Sequence, residues 1–125
     1  MTKILILDDV VSYLDALTRA LSFDYEIIKA SNIEEAKDKS DQSIDLFLID
    51  ICLDENRPGI DRSGIDFLKW IKENFKDKPA IVMSAYRDYE AAVEALNLGA
   101  FKYLKKPIDL QELKSTIKEG LRSGK

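Results

Sequence analysis

The sequence predicts an α/β fold in which a doubly wound, five-stranded parallel sheet of order 2-1-3-4-5 carries helices on both faces. Short apolar runs alternate with longer segments of helical period, which is the pattern of repeated βα units. Three of these runs are almost wholly apolar, as strands covered on both faces should be. Because crossovers between parallel strands are right-handed, five such units give the doubly wound order.

Five segments are predicted as strands from their short apolar runs. They are Lys3 to Leu7, Tyr25 to Lys29, Leu46 to Ile49, Ala80 to Met83 and Lys102 to Leu104. The first, third and fourth segments are the most apolar, so we expect them at the centre of the sheet.

Apolar residues at helical spacing predict the core-facing side of the helices between the strands. These residues are Leu14, Leu17 and Leu21, then Phe67, Leu68 and Ile71, then Val93 and Leu96, and finally Leu110, Leu113 and Ile117. A weaker helix, Ile33 to Lys39, is preceded by Ser31 or Asn32 as its N-cap. Gly99 predicts the end of the fourth helix.

Length and composition indicate a single domain over residues 1–125, large enough to bury a core without cross-links. No segment is apolar over the length of a membrane span, and the start lacks the order of a secretory signal. A cytoplasmic location is therefore expected. The net charge of −4, without a basic stripe, gives no support for direct nucleic-acid binding.

The chain contains one cysteine and no histidine. Because Cys52 stands alone, an internal disulfide and a cysteine-based zinc site are excluded, and a reducing compartment is consistent with this. Any reaction that uses a phosphohistidine or an imidazole base must borrow that group from another molecule.

Three aspartates follow two of the predicted strands: Asp8 and Asp9 after the first, and Asp50 after the third. Those strand ends are neighbours at the edge of a doubly wound sheet where ligands bind. Each aspartate alone could be a helix N-cap or a loop residue. Together they should repel one another and recruit a hard cation, Mg²⁺ or alternatively Mn²⁺. A carboxylate is also a nucleophile that can carry a phosphoryl group.

Polar residues also end the fourth and fifth strands. The Ser84 hydroxyl could donate to one phosphoryl oxygen, and the Lys106 ammonium could neutralise another. A serine here could equally be a turn residue, and a lysine beside proline could be plain surface. Lys105 competes with Lys106, but Pro107 favours an extended conformation for the residue directly before it.

These motifs resemble the signature of the response-regulator receiver family over essentially the whole chain. The matching segments are Leu7-Asp8-Asp9, Leu48-Ile49-Asp50, Met83-Ser84-Ala85, Leu98-Gly99-Ala100 and Lys106-Pro107. The resemblance implies a flavodoxin-like signalling domain rather than an enzyme. Such a domain takes a phosphoryl group from a histidine kinase, a phosphotransfer protein or a small donor such as acetyl phosphate, and later hydrolyses it with the help of Mg²⁺.

The resemblance also implies a role for each matching residue. Asp50 matches the phosphoacceptor, Asp9 a direct metal ligand and Asp8 its companion acid. Ser84 matches the switch hydroxyl, and Lys106 matches the lysine that contacts the phosphoryl group. The main-chain carbonyl of Cys52 matches the third protein ligand of the metal.

In this family an aromatic residue, matched here by Tyr103, swings inward when the hydroxyl residue turns toward the phosphoryl group. Tyr103 could also be an ordinary half-buried strand residue. A downstream protein would then bind the face formed by helix 4, strand 5 and helix 5. The protein would act as a monomer or as a phosphorylation-dependent dimer, without nucleic-acid or membrane contacts of its own.

The chain departs from the family pattern after the phosphoacceptor. Asp54 stands where the family usually has proline, and Gly64 matches the glycine that opens the third helix. The segment Leu53 to Ser63 is therefore several residues longer than usual, either as a partner-specific lid or as a tolerated insertion. The side chains of Cys52 and Tyr86 are expected to flank the site and to influence the lifetime of the phosphorylated form.

Other classes of function use parts of the same pattern. A haloacid-dehalogenase-like phosphohydrolase would have Asp-x-Asp after its first strand, whereas this chain has adjacent Asp8 and Asp9. A flavin-binding module would place a phosphate where these two acids would repel it. A receiver that serves only as a scaffold would not need every site position filled suitably.

Overall fold

The computed structural model describes residues 1–51, 63–84 and 89–123, in which strands and helices alternate along the chain. The strands are β1 (Lys3–Leu7), β2 (Glu26–Ala30), β3 (Leu46–Asp50), β4 (Ala80–Ser84) and β5 (Lys102–Lys105). The helices are α1 (Val11–Leu21), α2 (Ile33–Lys39), α3 (Ser63–Asn74), α4 (Tyr89–Asn97) and α5 (Leu110–Ser123).

All neighbouring strands pair in parallel, in the order β2-β1-β3-β4-β5. The predicted fold class and strand order are therefore confirmed. The three most apolar strands, β1, β3 and β4, occupy the centre of the sheet, where both faces are covered. The order reverses at β1, which lies between β2 and β3.

Alternate residues of the central strands supply two separate cores, one on each face of the sheet. On one face, Leu5, Phe47 and Val82 pack against helices α2, α3 and α4. On the other face, Ile4 and Leu48 pack, with their neighbours, against helices α1 and α5. The prediction of helices on both faces is confirmed, and this double burial explains why the central strands contain so few polar residues.

Three strands extend one residue beyond the predicted boundary because their last, polar residue stays in the hydrogen-bonded ladder. Asp50 pairs in register with Met83, and Ser84 pairs with Lys105. Strand β2 is Glu26–Ala30, one residue later at both ends than predicted, because the Tyr25 amide donates to the Leu21 carbonyl at the end of α1 and not to the neighbouring strand.

Most of the predicted core-facing helix residues are buried, but three are not. The buried ones are Leu14, Leu17, Leu21, Phe67, Leu68, Ile71, Leu113 and Ile117. The prediction was wrong for Val93 and Leu96, which are 56% and 46% exposed, because α4 packs through Ala92 and Ala95 instead. It was also wrong for Leu110, which is 39% exposed and opens the first turn of α5.

The predicted helix signals lie at the ends of α2 and α4. Of the two N-cap candidates, Asn32 caps α2: its side chain accepts a hydrogen bond from the Glu35 amide at 2.8 Å. The Glu35 carboxylate in turn accepts at 2.7 Å from the amide of Ser31, the residue before the N-cap, and so connects the first turn of α2 to the chain that precedes it. Gly99 has a φ of +104° after α4, a conformation that favours glycine.

None of the helices in the described ranges combines the length and the apolar character that crossing a membrane requires.

Gly64 allows α3 to lie directly against the end of β3. A Cβ atom at this position would clash with the Ile51 Cα and would lie 2.7 Å from the Asp50 carbonyl oxygen. We expect Gly64→Ala to lower the free energy of unfolding by about 2–3 kcal/mol, because backbone atoms must move. Urea denaturation measures this loss.

Gly120→Ala is the matched control, because its Cβ would make only ordinary contacts, the nearest at 3.4 Å to Leu46 Cδ1. Alanine in the interior of α5 should be neutral or stabilising by up to about 1 kcal/mol. Equal urea midpoints for the two variants would contradict the close approach of α3 to β3.

Candidate functional site

The site lies where the carboxyl ends of β1 and β3 meet beside the reversal of strand order. Leu7 and Ile49 are register partners on these strands. Asp8, the next residue after β1, and Asp50, the last residue of β3, are therefore brought to the same edge. Ligands bind at this edge in doubly wound sheets, since the loops diverge there and leave a crevice.

Three carboxylates converge in this crevice. Asp8, Asp9 and Asp50 each offer one oxygen, and the three oxygens lie within 4.8 Å of one another. Asp8 and Asp50 are buried, at 0% and 1% exposure, whereas Asp9 is exposed. Asp8 Oδ1 accepts a hydrogen bond from the Val10 amide at 2.9 Å, which fixes its orientation. The cluster therefore has a buried pair and one member that faces solvent.

The ammonium of Lys106 lies against the buried pair. Its Nζ is 2.8 Å from Asp8 Oδ2 and 3.0 Å from Asp50 Oδ2. The Lys106 amide donates to the Ser84 carbonyl at 2.9 Å, which ties the residue to the end of β4. Lys105 is exposed, so it is Lys106 that enters the crevice. The peptide bond between Lys106 and Pro107 is cis.

The environment of Lys106 stabilises its charged form. Burial alone would lower the pKa of the ammonium, but the hydrogen bond to Asp8 and the charge of Asp50 outweigh it. The net effect raises the pKa of Lys106 above its ordinary value. The lysine therefore stays protonated and acts as a fixed positive charge.

The residues of the crevice fit a hard divalent cation. In the part of the chain that the structure describes, three carboxylates face one ammonium, so these groups together carry an excess of negative charge. All three side chains offer oxygen ligands, which Mg²⁺ and Mn²⁺ prefer. Asp9 is exposed, so at least one of the three carboxylates is in contact with solvent.

Ser84 and Tyr103 lie on the same face of the sheet. Tyr103 pairs in register with Val82, and Ser84 follows Val82 by two residues. Because side chains alternate along a strand, residues two apart project from the same face. Ser84 is buried at the carboxyl end of β4, one residue beyond the register partner of Asp50, and Tyr103 is half-buried. The two side chains therefore share the face that α3 and α4 cover.

Tyr13 is a site residue that the sequence analysis missed. Its ring centroid is 4.5 Å from Lys106 Nζ, and its hydroxyl oxygen accepts from the Ile108 amide at 3.3 Å. Burial raises the pKa of the phenol. The sequence did contain one indication of this role. Tyr13 is an aromatic residue in the first helical turn after the two acids, directly before the apolar stripe that starts at Leu14.

Several predictions fall on residues outside the described ranges. They concern the carbonyl of Cys52 as a metal ligand, the influence of Tyr86, and the long segment from Leu53, of which only Ser63 is described.

The profile of the response regulator receiver domain family matches residues 4–118, and the chain belongs to this family. The suspected family is thereby confirmed. Receiver domains are phosphorylated by histidine kinases and bind Mg²⁺ at an acidic pocket, which corresponds here to the cluster of Asp8, Asp9 and Asp50. The chain is thus a receiver domain, which is a signalling domain.

Similar proteins include two bacterial transcriptional regulators. The transcriptional regulatory protein ZraR of Klebsiella oxytoca is 37% identical over 120 residues, which cover 94% of this chain and 26% of that protein. The transcriptional regulatory protein CpxR of Escherichia coli is 34% identical over 123 residues, which cover 98% of this chain and 50% of that protein. The chain thus spans at most half the length of these two relatives.

Two solved receiver structures resemble the whole fold. A CheY-like receiver domain protein of Methanospirillum hungatei has a TM-score of 0.88 at 29% identity, covering 99% of this chain and 96% of its own. A receiver domain protein of Clostridium thermocellum has a TM-score of 0.86 at 28% identity, covering 98% of this chain and 95% of its own.

Removing the Lys106 ammonium should take away a positive charge that lies within 3.0 Å of two buried carboxylates. We expect Lys106→Met to lower the free energy of unfolding by about 3 kcal/mol or more in metal-free buffer, the cost typical of breaking a buried ion pair. Urea denaturation with a chelator present measures this loss.

Lys105→Met is the control, because the neighbouring lysine is exposed and its replacement should change stability by no more than about 0.5 kcal/mol. If Lys106→Met unfolded at the same urea concentration as this control, the ion pairs would not contribute to stability.

Proposed function

We propose that the chain is a phosphorylation-activated signalling switch that accepts a phosphoryl group on Asp50. The donor is the phosphohistidine of a histidine kinase or phosphotransfer protein, or a small phosphodonor such as acetyl phosphate. The observation that carries the proposal is the Lys106 ammonium, 3.0 Å from a buried strand-end carboxylate that belongs to a cluster of three acids. Residues 1–125 form one receiver domain in this proposal.

Phosphoryl transfer requires one bond to form and one to break. A lone pair on an Asp50 carboxylate oxygen bonds to phosphorus, while the bond from phosphorus to the donor nitrogen or oxygen breaks. The leaving group keeps the electron pair, and an imidazole leaving group takes up a proton. In dephosphorylation a water oxygen bonds to phosphorus and loses its proton, the acyl phosphate bond breaks, and the carboxylate and inorganic phosphate are released.

Residues already at the site would hold the transferred group. Lys106 Nζ lies close enough to Asp50 to contact an oxygen of a phosphoryl group on that carboxylate. The Ser84 hydroxyl, buried at the end of β4, would donate to a second oxygen. When bound, Mg²⁺ supplies positive charge that neutralises phosphoryl oxygens and the three acids.

The proposed metal ligands combine acids that the structure brings together with one atom outside the described ranges. Asp9 and Asp50 are direct ligands in this proposal, and Asp8 is the companion acid. Their clustered oxygens support this set. The Cys52 carbonyl is the further ligand, proposed from the family resemblance. Mn²⁺, which prefers the same oxygen ligands, could replace Mg²⁺.

The proposed switch links Ser84 to Tyr103. When Ser84 turns toward the phosphoryl group, Tyr103 moves inward on the shared face of the sheet and changes the surface of α4, β5 and α5. Three apolar side chains exposed on α4 and α5 support this surface as a docking face. They are Val93, Leu96 and Leu110. The partner that binds this face is a downstream protein, or a second copy of this chain in a phosphorylation-dependent dimer.

The proposed setting follows from the composition and the family. A chain without histidine needs an external phosphodonor, which would be the phosphohistidine of a cytoplasmic kinase or phosphotransfer protein, or a small molecule such as acetyl phosphate. The acidic chain has no basic stripe for nucleic acid, so any regulation of transcription would pass through another domain or protein. The names of the relatives, transcriptional regulatory proteins, agree with such an output.

The alternative functions have less support. A haloacid-dehalogenase-like hydrolase would need Asp-x-Asp after β1, and the family assignment favours a signalling domain. A scaffold receiver that takes no phosphate would not need a protonated lysine held between two buried acids. Sustained turnover of a phosphate monoester would support the first alternative, and failure to bind beryllofluoride would support the second.

The central prediction is that Asp50 is the phosphoacceptor. Incubation with acetyl phosphate and Mg²⁺ should add the mass of one phosphoryl group, and Asp50→Asn should abolish the gain because the amide is not a nucleophile. Intact-protein mass spectrometry measures both results. Phosphoryl gain that persisted in Asp50→Asn would overturn the assignment.

Two further variants test the metal. Asp9→Asn should slow phosphorylation at least about tenfold, the lower end of the cost when a metal site loses a supporting group. Asp15→Asn is the matched control, because Asp15 is a surface acid on α1 that pairs with Lys29. This variant should react at the rate of the original chain. A chelator should suppress phosphorylation in all of them.

The Ser84 hydroxyl should couple the site to Tyr103. Addition of beryllofluoride and Mg²⁺ should shift the Tyr103 ring signals in NMR spectra of the original chain. We expect Ser84→Ala to bind the mimic without that shift, and Ser84→Thr to retain it because threonine keeps the hydroxyl. An unchanged Tyr103 shift in Ser84→Ala would separate the serine from the switch.

A further inference from the structure

The Lys106 ammonium is held from more than one direction. Two buried carboxylate oxygens lie within 3.0 Å of Nζ, and the ring of Tyr13 lies with its centroid 4.5 Å away. The negative face of an aromatic ring attracts an ammonium, most strongly where water is excluded. The ring therefore adds a neutral attractive surface to a position otherwise governed by charge.

Tyr13 is itself fixed at both ends. Its backbone belongs to the first turn of α1, directly after the acidic loop that contains Asp8 and Asp9. Its hydroxyl oxygen accepts from the amide of Ile108, two residues beyond Lys106. The side chain thus spans from α1 to the loop between β5 and α5, and the ring has little freedom to leave the ammonium.

We infer that Tyr13 is a positioning residue that keeps the Lys106 ammonium aimed at the phosphoryl oxygens of Asp50. The inference rests on the proposed function, because it assigns Tyr13 a role in that reaction. In the unphosphorylated protein Nζ contacts the Asp50 carboxylate, but after transfer it must contact a phosphoryl oxygen instead. The ring attracts the ammonium without itself carrying a negative charge. It can therefore support the lysine both before and after the phosphoryl group is transferred.

If the role of Tyr13 were purely structural, its replacement would have different effects. Tyr13 packs only at the edge of the core that α1 and α5 form. If Tyr13 merely filled space, its replacement would lower stability and leave the reaction rate unchanged. A positioning role instead ties the effect to Lys106, so that Tyr13 matters only while the ammonium is present.

The experiment compares Tyr13→Leu, which removes the ring, with Tyr13→Phe, which keeps it. Tyr13→Leu should slow phosphorylation by acetyl phosphate and Mg²⁺ about three- to tenfold, the rate equivalent of one partly desolvated cation–π contact. Tyr13→Phe should restore the rate to within about twofold, because the ring face is what attracts the ammonium. In NMR spectra, the upfield ring shift of the Lys106 ε-methylene protons should be lost in Tyr13→Leu and kept in Tyr13→Phe.

Tyr25→Leu is the matched control, because Tyr25 is a tyrosine of the same core placed before β2 and away from the site. It should lower the urea midpoint while leaving the phosphorylation rate unchanged.

In a Lys106→Met background, adding Tyr13→Leu should have no further effect on the rate. Equal rates for Tyr13→Leu and the original chain, or an equal slowing in both lysine backgrounds, would overturn the inference.

The same assay separates this inference from the proposed function. If the original chain gained no phosphoryl group, or if Asp50→Asn still gained one, the proposed function would fail whatever Tyr13 did. If the original chain reacted at Asp50 and Tyr13→Leu reacted equally fast, only the positioning role would fail.

Discussion

The fold has to hold three like-charged carboxylates at one edge of the sheet. Asp8 and Asp50 are withdrawn from water, and their mutual repulsion is met by an ammonium that lies 98 residues from Asp8 in the sequence. The parallel pairing of β1 with β3, and of β4 with β5, brings these distant groups together. Among the described residues a single lysine faces three acids, and this excess of negative charge fits the Mg²⁺ that receiver domains bind at their acidic pocket.

Much of the fold was predictable because its determinants are local and repeated. Apolar runs identified the strands, and a change of period identified the helices between them. The boundaries at Asp50 and Ser84 were placed too early, since hydropathy cannot show that a polar residue remains in the ladder. The buried side of α4 was misplaced because Ala92 and Ala95 carry too little apolar signal to compete with Val93 and Leu96.

The candidate site was only partly predictable. Asp8, Asp9, Asp50 and Lys106 could be grouped because each lies at, or within two residues after, the end of a strand, and topology brings strand ends together. The roles of these residues stay predictions. Tyr13 could not be foreseen in the same way, because it contacts Lys106 and also Ile108, which is 95 residues away, and no periodic pattern encodes such contacts.

The alanine contacts of α4 have a mechanical consequence. Methyl groups bury little area, so Ala92 and Ala95 attach this helix to the sheet less firmly than Phe67, Leu68 and Ile71 attach α3. A helix that is held by little buried area can change its position at a low cost in free energy, whereas a helix held by a large buried area cannot. By this comparison, a displacement of α4 along the sheet would expose less apolar surface to water than an equal displacement of α3.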